Sequence, residues 1–315
     1  MIEISRYSPV QSQQWNQFVA ESKNGTFLFD RRYMDYHCDR FEDMSFCFYN
    51  KHNLSAVFPA NIVGDTLYSH AGLTYGGLIC NHKMTATDVC ECFDLLRDEL
   101  RERGVKRVVY KPVPHIYHRY PSEEDLYALN ECKGTTLRLQ ERDITSVVPL
   151  SSPISFSMLR RRGVKKAQQL SLVTKESDDL KAFWDILSSN LEAKYNAKPI
   201  HTFEEIDKLK NAFPENIRLF AVFTDKGQML GGTLLYCSER VIKTQYISAN
   251  EQGKACGALD LLFHHIINKT QWNQTYLDLG TSALNHTSEL NTSLLFQKEG
   301  FGGRCVCYDC YEWIL

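Results

Sequence analysis

The chain has 315 residues, 43% of them apolar, and a formal net charge of −2. That length exceeds one small domain, so two cores are expected, and the near-neutral balance excludes nucleic-acid binding driven by overall charge. No apolar run is long enough for a membrane span, and the start, Met1-Ile-Glu-Ile-Ser-Arg6, lacks the basic and apolar regions of a signal peptide; a cytoplasmic protein is the expectation.

In chain order, the first clear unit begins at residues 67–71, which read as a strand. Glycine-rich residues 72–77 follow and lead into residues 78–80. A helix is expected over 86–103, with Val89, Phe93, Leu96 and Leu100 on one stripe. Gly104 stops it as a C-cap, and 105–111 is a strand. Residues 111–121, Lys-Pro-Val-Pro-His-Ile-Tyr-His-Arg-Tyr-Pro, form an extended loop fixed by its prolines. Residues 141–157 read as a strand running into a linker, and 158–169 is a basic segment. Asp178 and Asp179 can cap a helix carrying Leu180, Phe183, Trp184, Leu187 and Leu191. A second helix starts at Thr202, where Glu205 completes a capping box, and Pro214 ends it. Residues 217–224 and 229–237 form a hairpin around Asp225-Lys-Gly227.

The last quarter holds a strand over 241–248, a polar turn over 249–257, an amphipathic helix over 258–267 and a strand around Asp278. A strand feeding a turn that opens a helix presents unpaired N–H groups and a positive dipole end, which suits a phosphate. The order strand, glycine-rich loop, helix, strand occurs in both halves, so the chain is read as two copies of one α/β unit, 1–150 and 151–315.

This order of elements resembles the GNAT acyltransferase core. In that family the turn carries Q/R-x-x-G-x-G/A and holds the pyrophosphate of an acyl-coenzyme A. The resemblance therefore gives Gln252, Gly253, Lys254, Ala255, Cys256, Gly257 and Ala258 as the donor cradle, with Lys254 adding a charge-assisted contact. Ala255 replaces the family's middle glycine. The closing Phe296-Gln-Lys-Glu-Gly-Phe301 is similar to the family's Tyr-x-Lys-x-Gly-Phe, with Phe296 in place of the tyrosine credited as general acid. Two such units joined through Leu159-Arg-Arg-Arg-Gly-Val-Lys-Lys-Ala167, with Trp15-Asn-Gln-Phe-Val19 and Asn24-Gly-Thr-Phe-Leu-Phe29 near the start, resemble the FemABX-type peptidyltransferases and the broader GNAT-like group sharing that fold. The fold expected is α/β: two tandem GNAT-like domains, each a mixed, mostly antiparallel sheet flanked by helices.

Acyl transfer needs a donor cradle, a way to deprotonate the acceptor, and a place for charge developing on the donor oxygen. Tyr246 and Asp278 lie on the strands either side of the cradle, where parallel strands diverge. They are the catalytic candidates; for Asp278, a carboxylate capping a nearby loop is the competing structural reading. His70, His115 and His118 can hydrogen-bond an acceptor in a cleft between the domains; a purely structural loop is the alternative for 111–121. A metal is not expected, because His115 and His118 lack third and fourth ligands. His264 and His265 point about 100° apart on a helix and cannot chelate one ion. The odd count of 11 cysteines implies reduced thiols, and Cys305, Cys307 and Cys310 read as core cysteines of a terminal strand. The run Arg160, Arg161, Arg162, Lys165, Lys166 suits RNA or an anionic acceptor, or is a solvated face.

The function expected is transfer of an acyl group from acyl-CoA to an amine or hydroxyl of a small molecule, glycan or peptide precursor. The alternatives are a FemABX-type transferase using aminoacyl-tRNA in cell-wall or lipid synthesis, and a catalytically inactive GNAT-like binding module.

Overall fold

The structure is a computed structural model that describes residues 1–283 and 289–315, with Tyr195 described by its backbone alone. Two compact units divide the chain: residues 1–143 with 307–315, and residues 144–306. The sequence reading put a single boundary at 150/151. The structure returns the last residues to the first unit.

The first unit contains β1 (Ile2–Arg6), α1 (Ser12–Glu21), α2 (Arg31–Met34), β2 (Glu42–Asp43), β3 (Phe46–Asn50), β4 (Asn53–Phe58), β5 (Asn61–Val63), β6 (Thr66–Tyr68), β7 (Ile79–Cys80), α3 (Ala86–Glu102), β8 (Arg107–Tyr110) and α4 (Glu124–Glu131). Strands β1, β3, β4 and β7 pair antiparallel in that order. In the other sheet β2 pairs β5 and β5 pairs β6, both antiparallel, while β6 pairs β8 in parallel. Helix α3 forms as its periodicity dictates. Thr85 and Asp88 close its capping box. Its buried face, Val89, Phe93, Leu96 and Leu100, meets a core that includes Phe46, Phe58 and Trp313. Gly104 follows with φ +77°, the left-handed turn-off that glycine supplies freely.

The second unit takes its first strand from the end of β9 (Thr136–Pro149). Then come α5 (Met158–Gln169), β10 (Val173–Ser177), α6 (Leu180–Tyr195), α7 (Phe203–Ala212), β11 (Ile217–Phe223), β12 (Met229–Cys237), β13 (Val241–Ala249), α8 (Glu251–Cys256), α9 (Ala258–Asn268), β14 (Tyr276–Thr281), α10 (Thr292–Gly300) and the start of β15 (Arg304–Ile314), whose residues from 307 on belong to the first unit. Strand order is β10-β11-β12-β13-β14-β9. Every neighbouring pair is antiparallel except β13 and β14. Strand pairing in each unit is thus mostly antiparallel, with one parallel pair, β6–β8 or β13–β14, bracketing its main helix. That local hydrophobic periodicity was visible in sequence. The apolar face of α9, Leu262, Phe263 and Ile266, packs on Ile242, Leu277 and Leu279. Burying such faces is the main stabilising term for elements this short.

Two expectations are corrected here. The stretch 249–257 is not an open turn, because residues 251–256 form α8. Asn250 is its N-cap, accepting from the Gly253 N–H at 2.8 Å, so a capping signal lay in the sequence. The three C-terminal cysteines are not all core residues either: Cys305 and Cys307 are exposed, and Cys310 is buried on the opposite face.

Candidate active site in the second unit

The parallel pairing of β13 and β14 runs from Val241–Tyr276 to Lys243–Asp278 and stops there, although β13 continues to Ala249 and β14 to Thr281. On its other edge β13 shifts register against β12: Leu235 pairs Thr244 and Leu234 pairs Tyr246, leaving Gln245 as the extra residue. Such a bulge bends a strand and re-aims its side chains. Neighbouring parallel strands that cease to pair leave unsatisfied backbone groups and room for a ligand.

Polar and charged groups collect at this end of the pairing. Leu277 and Leu279 face α9, so Asp278 projects from the other face of the sheet. It is fully buried. Its carboxylate accepts from the Thr145 hydroxyl and from the Gly280 N–H, the latter at 2.8 Å. Lys243 and Lys298 both feel its charge. Lys298, from α10, is 6% exposed and donates to the carbonyls of Gly280 (2.8 Å) and Thr281 (2.6 Å). Burial lowers its ammonium pKa to about 8, with Asp278 opposing the fall and Lys243 adding to it. Burial likewise lowers Lys243, with Asp278 opposing. The buried hydroxyls of Ser146 and Ser282 have no partner among the described residues.

Tyr246 stands on the same face three residues along. Its hydroxyl lies 2.6 Å from His201 Nδ1, and its ring meets Trp184 edge-on at 5.1 Å. Burial pushes the phenol up to about 12, so it keeps its proton at neutral pH. His201 and Trp184 also line a cavity of about 360 Å³ together with Ser188, Glu192 and Lys198. That volume falls in the range of small-ligand pockets. Sequence reading found Tyr246 and Asp278 but gave no role to Lys298, Lys243, Thr145 or His201. The available signal was Lys298 inside the closing motif.

The expected donor cradle has a different construction. At the start of α8 the Gly253 amide donates to the Asn250 side chain and the Lys254 amide to the Asn250 carbonyl. A Cβ at Gly253 would run into the Leu230 carbonyl, and one at Gly257 would stand 2.6 Å from the Gly163 carbonyl. Gly257 also has φ +79°. These glycines therefore permit close packing of α8 and α9 on β12 and α5. Lys254 is held by Asn190 Oδ1 (3.0 Å) and Glu251 Oε1 (2.6 Å), and Lys166 donates to the carbonyl of Ala255 at 2.8 Å. Gln252 and Ala255 are exposed on α8, while Cys256 and Ala258 are buried. The first turn of α9 contains Asp260, buried and paired with Arg160 at 2.8 Å. The anion at this helix N-terminus is the chain's own carboxylate. The α9 N-terminus is thus occupied by groups of the chain itself. Phe296, at the family's tyrosine position, is 64% exposed.

The three histidines lie in the first unit and are not gathered into one constellation. His70 is buried at φ +68° and stacks on His37 with ring centroids 5.4 Å apart. His118 is buried, and its Nε2 meets the Val113 carbonyl at 2.8 Å, bracing its own loop. His115 is exposed.

Residues 159–286 match the family described as an acetyltransferase (GNAT) domain. The matched stretch lies within the second unit. Among solved structures, FemX is similar at 12% identity and TM-score 0.68, covering 99% of this chain and 97% of that one. The C-terminal domain of a putative lysylphosphatidylglycerol synthetase from Agrobacterium fabrum follows at 10% identity and TM-score 0.62, covering 98% and 92%. A tandem GNAT protein from the clavulanic acid biosynthesis pathway aligns at 8% identity and TM-score 0.50, covering 99% and 98%. Among curated proteins no sequence matches. The chain has a GNAT/FemABX-like fold of two tandem units.

Proposed function

From a tandem GNAT-like chain of this fold, we propose an acyltransferase that moves an acyl or aminoacyl group from an activated ester or thioester to an amine or hydroxyl acceptor, at the end of the β13–β14 pairing. The observation that carries the proposal is Lys298: a buried ammonium, fixed by two carbonyls beside a buried carboxylate, where the β13–β14 pairing ends. A fixed cation in a low-dielectric site stabilises an oxyanion more than a mobile one in water does.

In this mechanism the acceptor nitrogen or oxygen attacks the donor carbonyl, and negative charge grows on its oxygen. Lys298 stabilises that charge. Asp278 keeps Lys298 protonated near neutral pH, and Thr145 and the Gly280 amide hold Asp278. Tyr246, positioned by His201, passes its proton to the departing oxygen or sulfur and takes up the one the acceptor loses, so it ends protonated. The 360 Å³ cavity at Trp184 and His201 is the acceptor pocket in this reading.

The donor follows from α9. With Asp260 and Gly163 filling its N-terminus, no step here is routed through a coenzyme A pyrophosphate. An aminoacyl ester, as on aminoacyl-tRNA, needs no such cradle, and the similarity to a lysylphosphatidylglycerol synthetase domain supports that donor class. Acyl-CoA is the rival. The deciding experiment incubates the protein with radiolabelled aminoacyl-tRNA or acetyl-CoA and an amine or hydroxyl acceptor panel. Transfer from the ester, abolished in Lys298→Met, is expected. Transfer from acetyl-CoA alone would reassign the donor, and transfer unaffected by Lys298→Met would remove the site.

A further inference from the structure

The basic segment 158–169 becomes α5, and the fold sorts its cations into two groups. Arg160 is spent on Asp260, and Lys166 on the Ala255 carbonyl. Arg161 and Lys165 face elsewhere. Together with Lys269, just past α9, they border a cavity of about 320 Å³ whose other walls include Phe156, Val164 and His264. None of the three side chains has an ion-pair or hydrogen-bond partner among the described residues. No carboxylate lines the cavity.

We propose that this cavity binds a small phosphomonoester with a planar body, of the nucleoside monophosphate class. Arg161 and Lys165 are four residues apart on one helix face, where like charges repel. Lys269 comes to the same space from α9. Three unpaired cations around one concavity give it a positive potential, which is the electrostatic condition for a phosphate site. The cavity runs from residues 155 and 156, before α5, to Gln168 in its last turn and Asn268 at the end of α9, so the three side-chain cations, not a helix end, set its potential. Its floor is apolar and aromatic. Phe156 meets His264 edge-on at 6.1 Å, and Val164 lies beside them. A carbon-rich or planar group is accommodated there while the phosphate meets the cations.

The charges facing the site are accounted for on every element packed against it. On α5 they are Arg161 and Lys165; on α9 and just beyond it, His264 and Lys269. His264 is held below its ordinary range by burial and by Lys269. Asp260, one turn back on α9, is neutralised by Arg160. The side chains of α9 that fill the core face Leu277 and Leu279, whereas Asp278 projects from the opposite face of the sheet. The phosphate site is therefore separate from the candidate active site and does not depend on the acyltransferase reading.

The test is calorimetric titration of the intact protein with AMP, inorganic phosphate and adenosine at low and high salt. AMP should bind more tightly than phosphate, weaken with salt, and leave adenosine without measurable binding. The double variant Arg161→Gln/Lys165→Gln and the single variant Lys269→Gln should each weaken AMP at least tenfold. Their melting temperatures should stay unchanged, because these side chains are solvent-facing. Lys298→Met should bind AMP normally, so failure of the transferase reading is distinguishable from failure here. Equal binding of adenosine and AMP, or full affinity in the charge-removed variants, would overturn the proposal. So would a short single-stranded RNA without a terminal phosphate that binds where AMP does not.

Discussion

Lys243 and Asp278 are partners on the last rung of the parallel pairing between β13 and β14. One rung further the ladder is gone, and Lys298 enters from α10 to bind the carbonyls of Gly280 and Thr281. A buried carboxylate between two buried ammonium groups is a costly arrangement for stability alone, since apolar residues of similar size would often serve as well or better. Its persistence at the end of a strand pairing is what links this geometry to chemistry.

Lys298→Met should lower kcat by about 10²- to 10³-fold, the usual cost of losing one oxyanion-stabilising group. Binding of donor and acceptor should change little. A stopped or continuous transfer assay separates kcat from KM. A loss confined to KM would make Lys298 a binding residue instead.

The rate should fall as pH rises through about 8, where Lys298 loses its proton. The sign for stability is opposite. The folded ammonium titrates below its unfolded value of 10.5, so between about 8 and 10.5 the unfolded state holds more protons. This group's contribution to stability therefore rises with pH across that window. A pH–rate profile and urea unfolding at matched pH values check both directions, and Lys298→Met should flatten both.

Tyr246→Phe removes the hydroxyl beside His201 Nδ1. A loss of about 10²-fold or more in kcat is expected for a proton donor, with a stability cost of about 1 kcal/mol for the hydrogen bond. His201→Gln should retain part of the activity by restoring a hydrogen-bonding partner. Wild-type kcat in Tyr246→Phe would reduce this pair to a structural brace.

Gly257→Ala should destabilise the second unit by about 2 kcal/mol or more, combining a left-handed backbone with a side chain 2.6 Å from the Gly163 carbonyl. Denaturant unfolding measures it. A neutral effect would mean that α5 can move away from the α8–α9 junction, reopening the place where a donor phosphate was expected.

His70 is buried, and burial pulls its pKa down to about 3, with His37 adding to the fall. Its neutral form is the folded one, so stability from this group is fully present above the unfolded value of 6.5 and is lost as pH falls toward 3. His118 acts in the same direction with a folded value of about 4. His70→Asn keeps a residue tolerant of the left-handed backbone and should shallow the acid limb by about 1.4 kcal/mol per pH unit where the two states differ by one proton. Acid titration of both proteins by circular dichroism is the check.

Much of the fold was legible because its signals are local. Capping residues Asp179 and Thr202, the Gly104 stop, the helix stripes and the Asp225-Lys-Gly227 turn depend on neighbours a few positions away. The α8 helix was missed because the glycines and polar residues of 250–257 suit both a phosphate-binding turn and a capped helix. The side chain of Asn250 and the packing of Gly253 on Leu230 select the helix.

By itself the sequence determined two α/β units, the parallel strand–helix–strand segment in each, and Tyr246 and Asp278 as residues flanking one opening. Only the tertiary structure decided what meets them. Lys298 lies 20 positions from Asp278, and Thr145 lies 133 away; neither spacing has a period that sequence can reveal. Asp260 filling the α9 N-terminus, and Arg161, Lys165 and Lys269 left around an unpaired cavity, depend on how α5 docks against α9. Charge identity is written along the chain, but whether a charge is buried, paired or left free is fixed by long-range packing, and that sets its chemistry.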